Sequence, residues 1–204
     1  EGLRSWFVRD HALAVRILEA ALRDAPPTEL HWERSVLYLT LGAQATRARD
    51  DARARDALLN ALKIARSHPR ARGNMLSIVV WLGDLAVRCG DDAEALVLVK
   101  KASILARQRQ SIEPLIDVLW LRGVLAARAG DAQAVRQGAM EGIDVHGRIG
   151  RGGRPQLFVL LAAAERHIAG DFDSAAHYYQ AAVDGGDDGV GVADAEFVAM
   201  HAGL

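Results

Sequence analysis

The sequence predicts an all-α fold, a right-handed superhelical solenoid of antiparallel helix pairs with a period of about 40 residues. Three observations predict it. Asp10, Asp50, Asp91, Asp131 and Asp171 recur at spacings of 40, 41, 40 and 40, and Gly90, Gly130 and Gly170 stand directly before three of them. Self-similarity at such a period marks a helical array whose units bury their faces on one another. The chain of 204 residues is 50% hydrophobic, rich in Ala, Leu and Arg and holds only five prolines, so strong helix formers dominate and no stretch requires a strand. Around every ruler aspartate, apolar residues follow the i, i+3, i+4, i+7 spacing of amphipathic helices.

The elements follow in order. Residues 1–8 hold Leu3, Trp6, Phe7 and Val8 and read as the end of an incomplete element. From Asp10 a helix carries Ala14, Ile17, Leu18, Ala21 and Leu22 until Pro26 and Pro27 stop it. A helix over 30–48 bears Val36, Leu37, Leu39, Leu41 and Ala45; Asp50 and Asp51 cap its partner (Ala54, Leu58, Ala61, Leu62), and Pro69 closes the pair. A helix over 73–89 (Ile78, Val79, Trp81, Leu82, Leu85, Ala86) breaks at Gly90 and is answered over 92–107 by Ala95, Leu98, Val99 and Ala102. Pro114 sits in the first turn of the next helix, where its missing N–H costs nothing. That helix (Leu115, Ile116, Val118, Leu119, Leu125, Ala126) ends at Gly130, and Asp131 opens one with Val135, Ala139 and Ile143. After Pro155 a helix over 157–169 leads to Gly170-Asp171 and a partner with Ala175, Ala176, Tyr179, Ala182 and Val183. Residues 192–204 begin a further first-row helix. The chain thus reads as one domain over 1–204: partial repeat 1–27, repeats 28–70, 71–111, 112–153 and 154–189, and partial repeat 190–204.

Aligned on the period, the repeats form columns. Gly42, Gly83 and Gly123, with Ala163 and Gly203, let antiparallel helices approach closely. Ala14, Ala54, Ala95, Val135 and Ala175 form a second small column, and Ala21, Ala61, Ala102, Gly142 and Ala182 a third. Between those two lies a larger apolar column of Leu18, Leu58, Val99, Ala139 and Tyr179.

These columns resemble the tetratricopeptide repeat superfamily. Leu82-Gly83, Ala86, Gly90-Asp91, Ala95, Val99 and Ala102 follow its pattern, as do Ala163, Gly170-Asp171-Phe172, Ala175, Tyr179 and Ala182. The resemblance covers essentially the whole chain, but the period of 40 exceeds the usual 34 of that family by about a helical turn or a longer link. Repeats of this length with Ala- and Arg-rich helices are similar to the sensor segments of MalT- and LuxR-type bacterial transcription regulators. The resemblance implies a segment lying between a nucleotide-binding and a DNA-binding module, neither of which is in this chain, and receiving an inducer or a protein partner.

On such a scaffold, the resemblance implies a binding groove lined by first-row helices. Arg47, Arg88 and Arg128 share one column just before the turns, a ladder that the fourth repeat breaks with Ile168. A guanidinium ladder suits forked recognition of carboxylate or phosphate. The same residues also suit solvated positions near helix C-termini, where the dipole favours cations. Val80, Asp84, Trp120, Val124 and His167 are the neighbouring groove candidates, Trp120 reading equally as core. The carboxylate clamp of some tetratricopeptide domains needs Lys and Asn where this chain has Leu39, Ala43, Val80 and Asp84, which argues against that partner.

Several other features exclude chemistry. Gly147–Arg154 has neither the strand nor the Lys-Ser/Thr of a phosphate loop and reads as a linker. Asp184–Gly189 resembles a calcium loop but has Ala195 where the closing Glu belongs. The seven histidines lack metal-ligand spacing, and no Ser/His/Asp set or carboxylate pair stands out, so no catalytic residue, metal or cofactor is expected. Cys89, in a column with Ala48, Ala129 and Ala169, reads as a small buried residue in the packing seam. A single cysteine suits a reducing, cytoplasmic setting. A net charge of −1 with both signs interspersed gives no reason to expect nucleic acid or membrane as a partner.

The expected function is a non-enzymatic binding scaffold for a protein partner or small inducer. The repeat register already runs at residue 1 and still runs at residue 204 without a polar cap, as expected of a segment of a larger regulator. Two alternatives remain. One is a self-associating adaptor pairing through Trp6, Phe7, Phe197 and Met200; the other is an anionic-metabolite binder using the Arg ladder.

Overall fold

Asp50, Asp91, Asp131 and Asp171 each stand between one described helix and the next. At Gly90 and Gly130 the backbone turns through the left-handed region, φ 76° and 72°. The following N–H then reaches the carbonyl five residues back, Asp91 to Ala86 at 3.0 Å and Asp131 to Ala126 at 2.9 Å. The Asp131 carboxylate in turn accepts from the Ala134 N–H at 2.9 Å. Asp10 accepts from the Leu13 N–H at 2.8 Å, Asp50 from that of Arg53 at 3.1 Å and Asp171 from that of Ser174 at 3.0 Å, each an N-cap. A helix–turn–helix is therefore completed within about three residues.

One ruler turn lacks its glycine. Arg49 holds the left-handed position at φ 62° before Asp50. A β-carbon there costs about 1 kcal/mol. Arg49→Gly is accordingly expected to stabilise the protein and Gly90→Ala to destabilise it, each by about 1 kcal/mol in urea titrations. An Arg49→Gly protein no more stable than its parent would contradict this.

The computed structural model describes residues 10–24, 31–149 and 155–184. Every element among them is helical and no strand occurs among them. The chain divides into two compact units, residues 1–91 and 92–204. The first contains α1 (His11–Asp24), α2 (His31–Arg47), α3 (Asp51–Ser67), a 3-10 turn (Pro69–Asn74) and α4 (Met75–Arg88). Here α1 packs on α2, α2 on α3 and α3 on α4, while α2 and α4 also touch as successive first-row helices. The second contains α5 (Asp92–Gln108), α6 (Ile112–Arg128), α7 (Ala132–Gly147), α8 (Pro155–Ala164), a π turn (Glu165–Ala169) and α9 (Phe172–Asp184). Neighbouring helices pack in order, and α6 touches α8 as α2 touches α4.

The columns account for the cores. Ala14, Ala54, Ala95, Val135 and Ala175 are all buried, as are Leu18, Leu58, Val99 and Ala139. A β-carbon on Gly42 would lie 2.5 Å from Leu58 Cγ, so α2 and α3 can be this close only because position 42 has no side chain. Gly123 instead makes its close approach to Leu160 of α8, the next first-row helix, and not to its antiparallel partner α7. Leu58, Ile78, Leu85, Ile116, Leu119 and Leu160 are fully buried, and each contributes roughly 1.5–3 kcal/mol of transfer free energy.

Three expectations change. The helix expected over 73–89 begins instead with the 3-10 turn, in which Pro69 occupies the first turn. The continuous helix over 157–169 stops at Ala164 and widens into the π turn. The widening coincides with Glu165, a buried carboxylate where the two preceding repeats carry Leu85 and Leu125. Its carbonyl accepts the Asp171 N–H at 2.8 Å, six residues on rather than five. Cys89 is exposed, not buried in a seam. It is the C-cap of α4, beyond the last turn that meets a neighbour, and Ala129 and Ala169 of its column are exposed as well. Residues 1–9, 25–30, 150–154 and 185–204, with Trp6, Phe7, Pro26, Pro27, Phe197 and Met200, lie outside the described residues.

Candidate functional site

The arginine column does something other than line a wall. Arg88, at the C-terminal end of α4, has a side chain only 7% exposed and donates from Nη2 to Asp51 Oδ1 at 2.8 Å. Its Nη1 donates to the carbonyl of Thr46 in the last turn of α2. One guanidinium thus ties the end of one first-row helix to both helices of the preceding pair. Arg128 repeats the motif in the second unit, with Nη1 2.6 Å from Asp92 Oδ1 on α5. Arg47 differs, being exposed with its guanidinium 5.0 Å from the ring centroid of Trp81.

The partner column explains which arginines pair. His11, Asp51, Asp92 and Ala132 occupy equivalent positions on the second-row helices, and Arg47, Arg88, Arg128 and Ile168 face them in register. Asp meets Arg twice. Where the first member is His11, Arg47 has no acid to meet, and His11 Nδ1 lies 2.8 Å from Gln44 Oε1 instead. Where it is Ala132, the arginine is absent too. Wherever the second-row position is Asp, the facing position is Arg.

The other candidates separate by burial. Asp84 is half-buried midway along α4, whereas Val80 and Val124 are buried and belong to the cores. Trp120 packs against Ile116, Ala139, Leu157 and Leu161, which makes it part of the core of the second unit. His167 is exposed on the π turn. Within the second unit, therefore, Trp120 lies in the core while Arg128 stands at an open cleft.

That cleft, open to solvent, offers about 390 Å³ where α5, α6 and α7 meet. Its walls are Leu96, Leu125, Ala126, Ala129 and Ala134, and the Arg128–Asp92 pair and Arg122 stand at its edge. Leu96, 58% exposed, forms the lip. Arg122 is held only loosely, 3.9 Å from Glu141 Oε2.

One period on, the matching positions hold an ion pair. Arg136 and Glu165 stand where Leu96 and Leu125 stand in the previous repeat. Arg136 Nε and Nη2 reach Glu165 Oε1 and Oε2 at 2.7 Å each, a forked pair on a carboxylate that is 3% exposed. The hydrogen bond that Arg136 donates to Glu165, then the charge of Glu165, raises the Arg136 pKa above its ordinary value. Sequence periodicity placed Arg136 and Glu165 but left both unremarked; a Glu in a Leu column is the signal that could have found them.

Asp171 carries the other resolved electrostatic shift. Hydrogen bonds from the Ser174 N–H and then the Ser174 hydroxyl hold its carboxyl below the ordinary carboxylate range. A depressed carboxyl stabilises the fold above its unfolded-state pKa, and that contribution is lost as pH falls through the folded value. Asp171→Asn is therefore expected to flatten the acid limb of stability against pH below the ordinary Asp range. An unchanged acid limb would refute the assignment.

No cluster of three or more His, Cys, Asp or Glu able to hold a metal occurs among the described residues. No described helix is long and apolar enough to cross a membrane. No protein-family model matches the sequence, and comparison with curated proteins gives no match. The likeness to tetratricopeptide repeats therefore stands on the residues themselves.

Proposed function

We propose that the chain is a non-enzymatic, cytoplasmic binding scaffold, a tetratricopeptide-like solenoid that receives a protein partner within a larger bacterial transcription regulator. The observation that carries the binding reading is the α5–α6–α7 cleft, which is apolar and open to solvent and is lined by Leu96 and Leu125 where the next repeat has an ion pair. Apolar clefts with a few polar groups at the rim are where ligands and partner side chains seat. The Arg ladder supports an anion-binding reading less well, because Arg88 and Arg128 already hold carboxylates of their own unit.

Methyl-resolved NMR tests the cleft directly. On titration with a panel of short peptides and small metabolites, the Leu96 and Leu125 methyl resonances are expected to move first, with peptides as the effective ligands. Ligands that shift only methyls elsewhere would overturn the site. The regulator setting has its own test in the flanking reading frame, which should encode a nucleotide-binding module before this segment and a DNA-binding module after it. A frame with neither module removes that part of the reading.

A further inference from the structure

At two outward positions α5 differs from every other second-row helix. Position 97 is Val, 68% exposed, where its equivalents are Arg16, Asp56, Gln137 and His177, all exposed. Position 104 is Ile, 51% exposed, where the equivalents are Arg23, Lys63, Asp144 and Asp184, again all exposed. The fold therefore places these positions in water in each repeat and asks nothing apolar of them. Only α5 supplies apolar side chains there, and exposed apolar groups gathered on one face mark interaction sites. Val97 and Ile104 lie opposite the buried stripe of Ala95, Val99, Ala102 and Ala106, and Leu96, the lip of the cleft, flanks them about a quarter-turn round the helix.

Charge narrows the partner. Lys100 and Lys101, both exposed, sit among these apolar residues and form no salt bridge among the described residues. Val97 and Ile104 are two helical turns apart, about 10 Å along a straight ridge, which a second helix can follow with its own i, i+3/i+4 and i+7 side chains. Apolar anchors with cations beside them are complementary to apolar anchors with carboxylates beside them.

Resting on the reading of the chain as a binding scaffold, we propose that the outer face of α5 docks an acidic amphipathic helix of a partner protein, with apolar side chains on Leu96, Val97 and Ile104 and carboxylates on Lys100 and Lys101.

A displayed library of helical peptides with randomised faces, selected against the intact chain, tests this. Enriched sequences are expected to carry Leu, Ile or Phe at i, i+3/i+4 and i+7 with flanking Asp or Glu. Their affinity should fall at least tenfold in Val97→Asp and in Ile104→Asp. Aspartate is what equivalent positions 56 and 144 already hold, so both variants should keep the parent's circular dichroism and melting curve. Lys100→Glu with Lys101→Glu should reverse the preference towards basic helices. No enrichment, enriched helices that are not acidic, or affinities unmoved by these variants would each overturn the proposal. So would phosphatidylglycerol vesicles, or self-association seen in sedimentation, if binding there is abolished by Val97→Asp and the peptides do not compete. Should the Leu96 and Leu125 methyls respond to ligands while selected helices ignore α5, the scaffold reading survives and this inference alone falls.

Discussion

Replacing Arg88 by methionine is expected to destabilise the first unit by about 2–3 kcal/mol. Methionine keeps most of the aliphatic stem, so the loss isolates the guanidinium. With the head group gone, the buried end of α2 loses the donor to its Thr46 carbonyl, and Asp51 loses its partner. Asp51 is 42% exposed and can be rehydrated, which keeps the effect below that of a fully buried pair. The exposure of the three arginines then orders their effects. Arg128, at 18% exposed, should cost less than Arg88, and Arg47, stacked on Trp81 at the surface, less than about 0.5 kcal/mol. Urea titration of the three methionine variants, with hydrogen exchange locating the loss, checks the order. A cycle with Asp51→Asn should recover a coupling above about 1 kcal/mol for Arg88. Equal effects at all three positions would show that the column acts only through helix-end charge.

The second large effect is expected at Arg136. Arg136→Ala removes both donors to a carboxylate that is 3% exposed, and a loss of about 3 kcal/mol follows for the second unit. The rescue is written in the neighbouring repeat. Arg136→Leu together with Glu165→Leu installs the Leu96–Leu125 arrangement one period on and is expected to return stability to within about 1 kcal/mol of the parent. It should also open a second apolar cleft. Ligands that shift the Leu96 and Leu125 methyls should then shift those of the new leucines. A double variant as unstable as Arg136→Ala would mean that the π turn itself, and not the ion pair, requires Glu165.

Much of the fold could be read from the sequence because its signals are local and repeated. Asp50, Asp131 and Asp171 cap helices where the period puts them, and the Ala14-to-Ala175 column is buried throughout. The site was less legible. The arginine column was visible, but the direction of each guanidinium depends on a side chain 36 or 37 residues earlier, and reading one column at a time hides a pair made of two. Only the joint pattern of Asp51 with Arg88, Asp92 with Arg128 and Ala132 with Ile168 discloses it. The π turn was hidden for a different reason. A single added residue per turn leaves the hydrophobic pattern almost unchanged, so only the polar character of Glu165 signals it. Cys89 was misplaced because alanines, tolerated inside and outside alike, filled the rest of its column.

The cross-repeat pairs also set which repeats can follow one another. A repeat bearing Asp at its second-row position must be succeeded by one bearing Arg, and repeat 71–111 satisfies both ends of that rule with Arg88 and Asp92. A tandem duplicate of 71–111 would set Asp92 against the Arg88 of the copy, and its excision would set Asp51 against Arg128. Both junctions stay matched. Inserted after residue 153, however, the same repeat would set its Arg88 against Ala132, with no acid to receive it. Succession of repeats is thus matched in charge at one junction and mismatched at the next, a difference carried by two side chains per repeat.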